Sequence, residues 1–148
     1  MEYLEIEEEY GAVYGYIVNF KSESFKNYIK EEISDLKKSD KIINFIENKE
    51  FENILVIKNL NVYDGYKGNG YGRGLLEDAL SRCDIAILIS DSHEIQEKGF
   101  NLDKFYESSD FQKITDGGGG SFMCYPSATF LELKKTIDVK PQKRSFKM

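Results

Sequence analysis

Between Asn61 and Leu80 the chain reads NVYDGYKGNGYGRGLLEDAL. Gly65, Gly68, Gly70, Gly72 and Gly74 fall within ten residues, and a run of helix formers follows. This pattern suits an anion. The first N–H groups of a helix have no intrahelical acceptor, and the helix dipole makes that end positive. Glycines let an anion come close to such a backbone. The chemistry implied is the holding of a phosphate.

Two familiar phosphate loops are excluded by residue type. A P-loop needs Lys and Ser or Thr after its second glycine. Gly65 and Gly70 have the spacing, but Tyr71 and Gly72 follow. A dinucleotide loop needs Gly-x-Gly-x-x-Gly. Starting at Gly68 its third glycine is Arg73, and starting at Gly70 it is Leu75. Other catalytic chemistries have little material. There is one histidine, His93, and there are two cysteines, Cys83 and Cys124, so no metal-ligand cluster is expected. Both thiols read as reduced and at least partly buried.

The elements that must position the loop follow from periodicity. YLEIEEEYGAVYGYIVNF has strand chemistry and reads as a hairpin, with Gly11 serving the turn. SESFKNYIKEEISDL repeats apolar residues at three and four, with Ser22 or Ser24 as cap. DKIINFIENKE reads as a second helix, joined to the first near Ser39–Asp40. Ile54 to Ile57 is apolar on both faces, as a central strand would be, and the strand then alternates through Leu60 and Val62. A helix from Gly72 to about Arg82 and the apolar strand DIAILIS complete a βαβ unit with a parallel pair. NLDKFYESS reads as a short helix, FQKIT and FMCYP as a hairpin across a loose DGGGGS turn. TFLELKKTI is either a helix opened by Thr129 or an edge strand.

One domain is expected over residues 1–139, followed by a basic, flexible tail over 140–148. The tail holds Lys140, Lys143, Arg144 and Lys147; with the net charge at −6, the body carries −10. An acidic body disfavours nucleic acid and favours cationic partners. The most apolar run, Ile85–Ile89, is far short of the ~20 residues of a membrane span. The start, MEYLEIEEEY, lacks a basic-then-apolar signal, so a cytoplasmic location is expected.

The stretch LNVYDGYKGNGYGRGLL resembles motif A of the GNAT superfamily of acyl-CoA N-acyltransferases. Leu60 and Val62 match the strand signature, Lys67 takes the Arg/Gln place, and Gly70 and Gly72 the two small places. KFYESSDFQKI resembles the family's Phe-Tyr-x-x-x-Gly-Phe segment through Phe105, Tyr106 and Phe111. The resemblance covers most of the chain in outline and these two motifs in detail. Asp64 stands where the family often has Pro, and Asp110 where Gly is usual. Asp91 and His93 occupy the neighbourhood where an Asn is common.

The resemblance implies a GNAT-like α/β fold: a mixed, mostly antiparallel sheet with a central parallel pair and helices on both faces. It implies acetyl transfer from acetyl-CoA to a primary amine, on a small cationic molecule or on a protein lysine or N-terminus. The backbone of Gly68, Asn69, Gly70, Tyr71, Gly72 and Arg73 would hold the pyrophosphate, with Lys67 and Arg73 adding charge. The backbone edge of Leu60, Asn61 and Val62 would take the pantetheine arm, and an N–H there would polarise the thioester carbonyl. Tyr106 would protonate the departing thiolate. Asp91 and His93, just past a parallel strand, are the candidates for removing the amine's proton. No metal and no membrane partner are expected, and a homodimer is left open. A degenerate CoA-binding or protein-interaction module is the alternative, and a transferase acting on aminoacyl-tRNA through the basic tail is a third reading.

Overall fold

The computed structural model describes residues 1–91 and 101–138. One six-stranded sheet runs through it, built from β1 (Glu2–Glu8), β2 (Gly11–Val18), β3 (Ile54–Val62), β4 (Ile85–Ser90), β5 (Gln112–Gly117) and β6 (Gly120–Tyr125). The spatial order is β1-β2-β3-β4-β6-β5. Only β3 and β4 pair in parallel; the other neighbours are antiparallel. This is the expected mixed α/β fold. Ile54–Ile57 and Ile85–Leu88 are buried, as strands covered on both faces must be.

Helices lie on both faces. α1 (Glu23–Glu32), α2 (Leu36–Lys49) and α5 (Leu131–Asp138) cover one, packing Phe25, Ile29, Ile42, Ile46 and Phe130 against Val56, Ile87 and Phe122. α3 (Tyr71–Leu80) and α4 (Leu102–Glu107) cover the other, where Leu75, Leu76 and Tyr106 meet Leu55, Leu88 and Met123. β1 is an edge strand, and its outward glutamates discourage pairing with a second sheet.

Several local expectations change. The α1–α2 junction lies at Ile33–Asp35, not at Ser39–Asp40, which are inside α2. Asp35 decides this: its carboxylate caps Lys37 and Lys38 N–H at 3.0 and 3.2 Å. Gly11 lies within β2 rather than in the turn, because a Cβ there would stand 2.4 Å from the Asn61 carbonyl oxygen. The DGGGGS turn is tight, not loose. Gly117 pairs with Gly120, and Gly118 donates its N–H to the Glu32 carbonyl at 2.7 Å. A Cβ on Gly117 would stand 3.0 Å from the Glu32 carbonyl oxygen and one on Gly120 1.9 Å from that of Ser90, so the turn packs closely on the end of α1 and on β4. The segment after Pro126 is helical, a 3-10 turn (Ser127–Phe130) leading into α5.

One irregularity matters for function. Tyr14 pairs with Asn59 but Gly15 pairs with Ile57, leaving Lys58 as an extra residue on β3. The bulge falls where β3 turns from fully buried to alternating. Gly15 permits it, since a Cβ would lie 2.3 Å from the Val56 carbonyl oxygen. Gly15→Ala should destabilise the fold by about 3 kcal/mol. Urea unfolding would read this as a lower midpoint at unchanged slope; an unchanged midpoint would show that β2 relaxes around the bulge freely.

Candidate active site

β3 and β4 are in register for only three residues, Ile54–Val56 against Ile85–Ile87. Beyond them no residue of β3 pairs with β4. β3 continues on β2 as far as Val62, while β4 continues on β6 as far as Ser90. Among the described residues the two strands part just before the bulge, which opens the sheet as a cleft at the carboxyl end of the parallel pair. Along one wall runs the backbone edge of Ile57–Val62, which includes Leu60, Asn61 and Val62. Leu60 and Val62 are half-buried towards the α3 face.

The glycine loop stands at the end of this edge. Gly65, Gly68 and Gly70 have φ of 94°, 85° and 81°, a region that disfavours side chains. Gly70 is the N-cap of α3 and supplies no side-chain cap. Among the described residues no backbone N–H from Lys67 to Arg73 donates to a protein acceptor. Among the described residues nothing lies within 4 Å of a Cβ built on Gly68 or Gly70, so towards them the helix end is open. Gly72 serves packing instead: its Cβ would stand 3.2 Å from Val62 and 3.6 Å from Phe105. Asn69 steadies the loop, donating to the Tyr66 and Lys67 carbonyls at 3.2 and 3.4 Å. Tyr71 stacks on Tyr10 at 4.2 Å and meets Tyr66 edge-on.

The two expected cations differ. Lys67 is exposed and 3.6 Å from Asp64, a contact too solvated to hold it firmly. Arg73 turns away from the loop and donates to Ser108, at 2.8 Å to the hydroxyl and 3.3 Å to the carbonyl. It therefore ties α3 to the end of α4 and lines a cavity of about 470 Å³ with Glu77, Ser109 and Tyr125.

Tyr106 is on α4, buried, with its ring edge-on to Phe105 and Phe111. Burial pushes its phenol up to about 12, so it carries its proton throughout the neutral range. Asp110, at φ 71°, fills the left-handed position after α4, and its carbonyl accepts the Ser127 N–H at 2.8 Å. The segment thus keeps the backbone that a glycine would give. Asp91 is exposed immediately after β4. His93 and residues 140–148 lie outside the described residues. Burial raises both thiols above their ordinary value, Cys83 up to about 12, which favours the less reactive protonated form. Among the described residues no carboxylate, thiol and imidazole cluster has metal-binding spacing, and no helix is long and apolar enough to cross a membrane.

No family model matches the chain, and no curated protein matches it. Among solved structures it is similar to NAA60 of Arabidopsis thaliana, crystallised in complex with a bisubstrate analogue. The identity is 16%, over 78% of this chain and 61% of that one, with a TM-score of 0.44. The chain therefore spans about three-fifths of the length of the chain it matches.

Opposite α3, the cleft meets the face covered by α1. Tyr28 of α1 lies against the backbone of Ile89 on β4, and the Lys58 ammonium stands 5.2 Å above its ring. Tyr28 therefore bridges the parted strands on this side. Glu31 and Glu32 close α1 beside it. A hollow of about 340 Å³, lined by Tyr3, Glu5, Tyr14, Tyr16 and Lys58, continues over the uncovered sheet. Burial, then Glu31, raises the Tyr16 phenol above its usual value. Tyr63 and Tyr66 are held elsewhere, bonding Glu7 and Glu9, and Tyr125 lies on the α3 side. Alternation from Ile54 and Val56 aims Lys58 at the α1 face, but its contact with Tyr28 joins two separate elements and could not be read from the periodicity of either.

Proposed function

We propose that the chain is an N-acetyltransferase of the GNAT kind, moving an acetyl group from acetyl-CoA to a primary amine. The observation that carries this is the parting of β3 from β4 beside an uncapped, glycine-lined helix end. A free strand edge suits a ligand arm made of amides, which pairs with it as an added strand. A bare helix N-terminus suits a pyrophosphate. Few cofactors join those two parts, and CoA does.

Acetyl-CoA supplies the acyl group already activated as a thioester. The chain's residues would do the rest. N–H groups from Gly68 to Arg73 would hold the pyrophosphate, with Lys67 adding a mobile positive charge. The Leu60–Val62 edge would align the arm, and an N–H near Asn61 or Val62 would stabilise negative charge on the carbonyl oxygen. Tyr106, protonated at neutral pH, would give its proton to the leaving sulfur. Asp91 or His93 would accept the proton that the amine loses. Support for a cationic acceptor comes from the acidic body and from Glu5, Glu31 and Glu32 around the α1 face of the cleft.

Thermal unfolding with acetyl-CoA, CoA and NAD added separately tests the reading. A ligand at 100 times its dissociation constant stabilises by about 2.7 kcal/mol, roughly 5–10 °C for a chain of this size. The expected result is a shift with both CoA compounds and none with NAD. No shift with acetyl-CoA would reject the proposal. A shift without turnover over a panel of amines would favour the degenerate binding module.

A further inference from the structure

α4 has six residues, too few to hold its own direction. Two polar contacts fix it. At its far end Arg73 reaches Ser108. At its near end Asp103, one turn before Tyr106, meets two strands at once. Its Oδ1 accepts the Ser90 hydroxyl and its Oδ2 the Ser121 hydroxyl, each at 2.6 Å. Ser90 ends β4, Ser121 lies in β6, and the two are register partners. Both serines are buried, at 0% and 3% exposure.

Such an arrangement is more than a cap. Hydrogen bonds from hydroxyls to a carboxylate are short and about twice as strong as neutral ones. Using both oxygens fixes the rotation of the carboxyl group as well as its distance. The serines belong to the paired ends of β4 and β6, and the carboxylate belongs to the helix that carries the proposed acid. Asn101, the N-cap, holds only its own helix, through the Lys104 N–H at 3.0 Å. Asp103 hydrogen-bonds the start of α4 to the end of β4 and to its β6 partner at once.

We infer that Asp103 is a positioning residue: by bridging Ser90 and Ser121 it locks α4 to the carboxyl end of β4 and so sets where the Tyr106 hydroxyl stands. This rests on the transferase reading for its catalytic meaning, but not for its test.

The test compares Asp103→Ala with Asp103→Asn. Asparagine keeps the bridge without the charge, since its Oδ1 accepts from one serine while its amide donates to the other. A fluorotyrosine introduced at position 106, whose phenol titrates lower than tyrosine's, reports the site by fluorine NMR without any substrate. The bridge predicts that Asp103→Ala lowers the apparent pKa at position 106 by about one unit, as water reaches the ring, while Asp103→Asn leaves it in place. In the active enzyme, kcat should fall roughly 10- to 100-fold in Asp103→Ala, with acetyl-CoA affinity unchanged and kcat largely restored in Asp103→Asn. An unmoved titration in Asp103→Ala overturns the inference. So does an Asp103→Asn variant as perturbed as the alanine, which would assign the effect to charge. If Asp103→Ala does not fold, Ser90→Ala removes one arm of the bridge; a smaller shift in the same direction supports the inference and none overturns it. An intact chain with no turnover on any amine rejects the transferase reading alone, because the titration is still read.

Discussion

Gly70→Val is expected to weaken acetyl-CoA binding about 100-fold, close to 3 kcal/mol. Gly70 sits at φ 81°, where a β-branched residue is a genuine outlier. Holding a side chain in that region costs about 1–2 kcal/mol. The rest comes from the path of the loop and from methyl groups standing over N–H donors that now face open space. Among the described residues nothing lies within 4 Å of the new Cβ, so the loss is not a packing collapse. Gly74→Ala is the matched control. Gly74 is inside α3, has no positive φ, and also has open space around its Cβ. It should raise stability by up to about 1 kcal/mol and leave affinity unchanged. Calorimetric titration with acetyl-CoA and urea unfolding of both variants would check the pair. Equal affinity in Gly70→Val and the parent would mean that the loop does not hold the cofactor.

The loop was legible because its signal is local. Glycine spacing, a strand of known phase before it and helix formers after it are all contiguous from Ile54 to Leu80. Asp110 was legible as the place of a usual glycine for the same reason, since it lies in one contiguous segment with Phe105, Tyr106 and Phe111, and its φ of 71° is the backbone a glycine would take. What could not be read depends on partners distant in sequence. The bulge at Lys58 exists only because Tyr14 and Gly15 take up a particular register with β3. The tight glycine turn at 117–120 packs on the backbone of Glu32 and Ser90, and the Asp103 bridge joins residues 90, 103 and 121. Arg73 lies in the motif, yet its direction is decided by Ser108, thirty-five residues on. The α1–α2 boundary was missed for a different reason. Ser39 and Asp40 have turn chemistry, but Asp35 caps two N–H groups, and Leu36 tolerates exposure at the first turn.

Tyr106→Phe is expected to lower kcat by about 10²–10⁴-fold, the usual range for a general acid. The affinity for acetyl-CoA should stay within a factor of about two, since the substitution leaves the ring where it packs on Phe105 and Phe111. The fold should survive for the same reason. The hydroxyl makes no hydrogen bond to any described residue, so its removal leaves no partner stranded in the core. Burial raises the phenol to about 12, well above an ordinary tyrosine near 10. The phenol is therefore fully protonated from neutrality up to about pH 10, and no loss of rate in that interval should trace to it. A leaving group that needs no proton offers a sharper check. Acyl donors whose thiols have progressively lower pKa should narrow the gap between Tyr106→Phe and the parent. A gap that stays constant across that series would mean that the hydroxyl does not act on the sulfur. An unchanged kcat with acetyl-CoA would remove Tyr106 from the chemistry altogether and leave the ring as packing between α4 and the sheet.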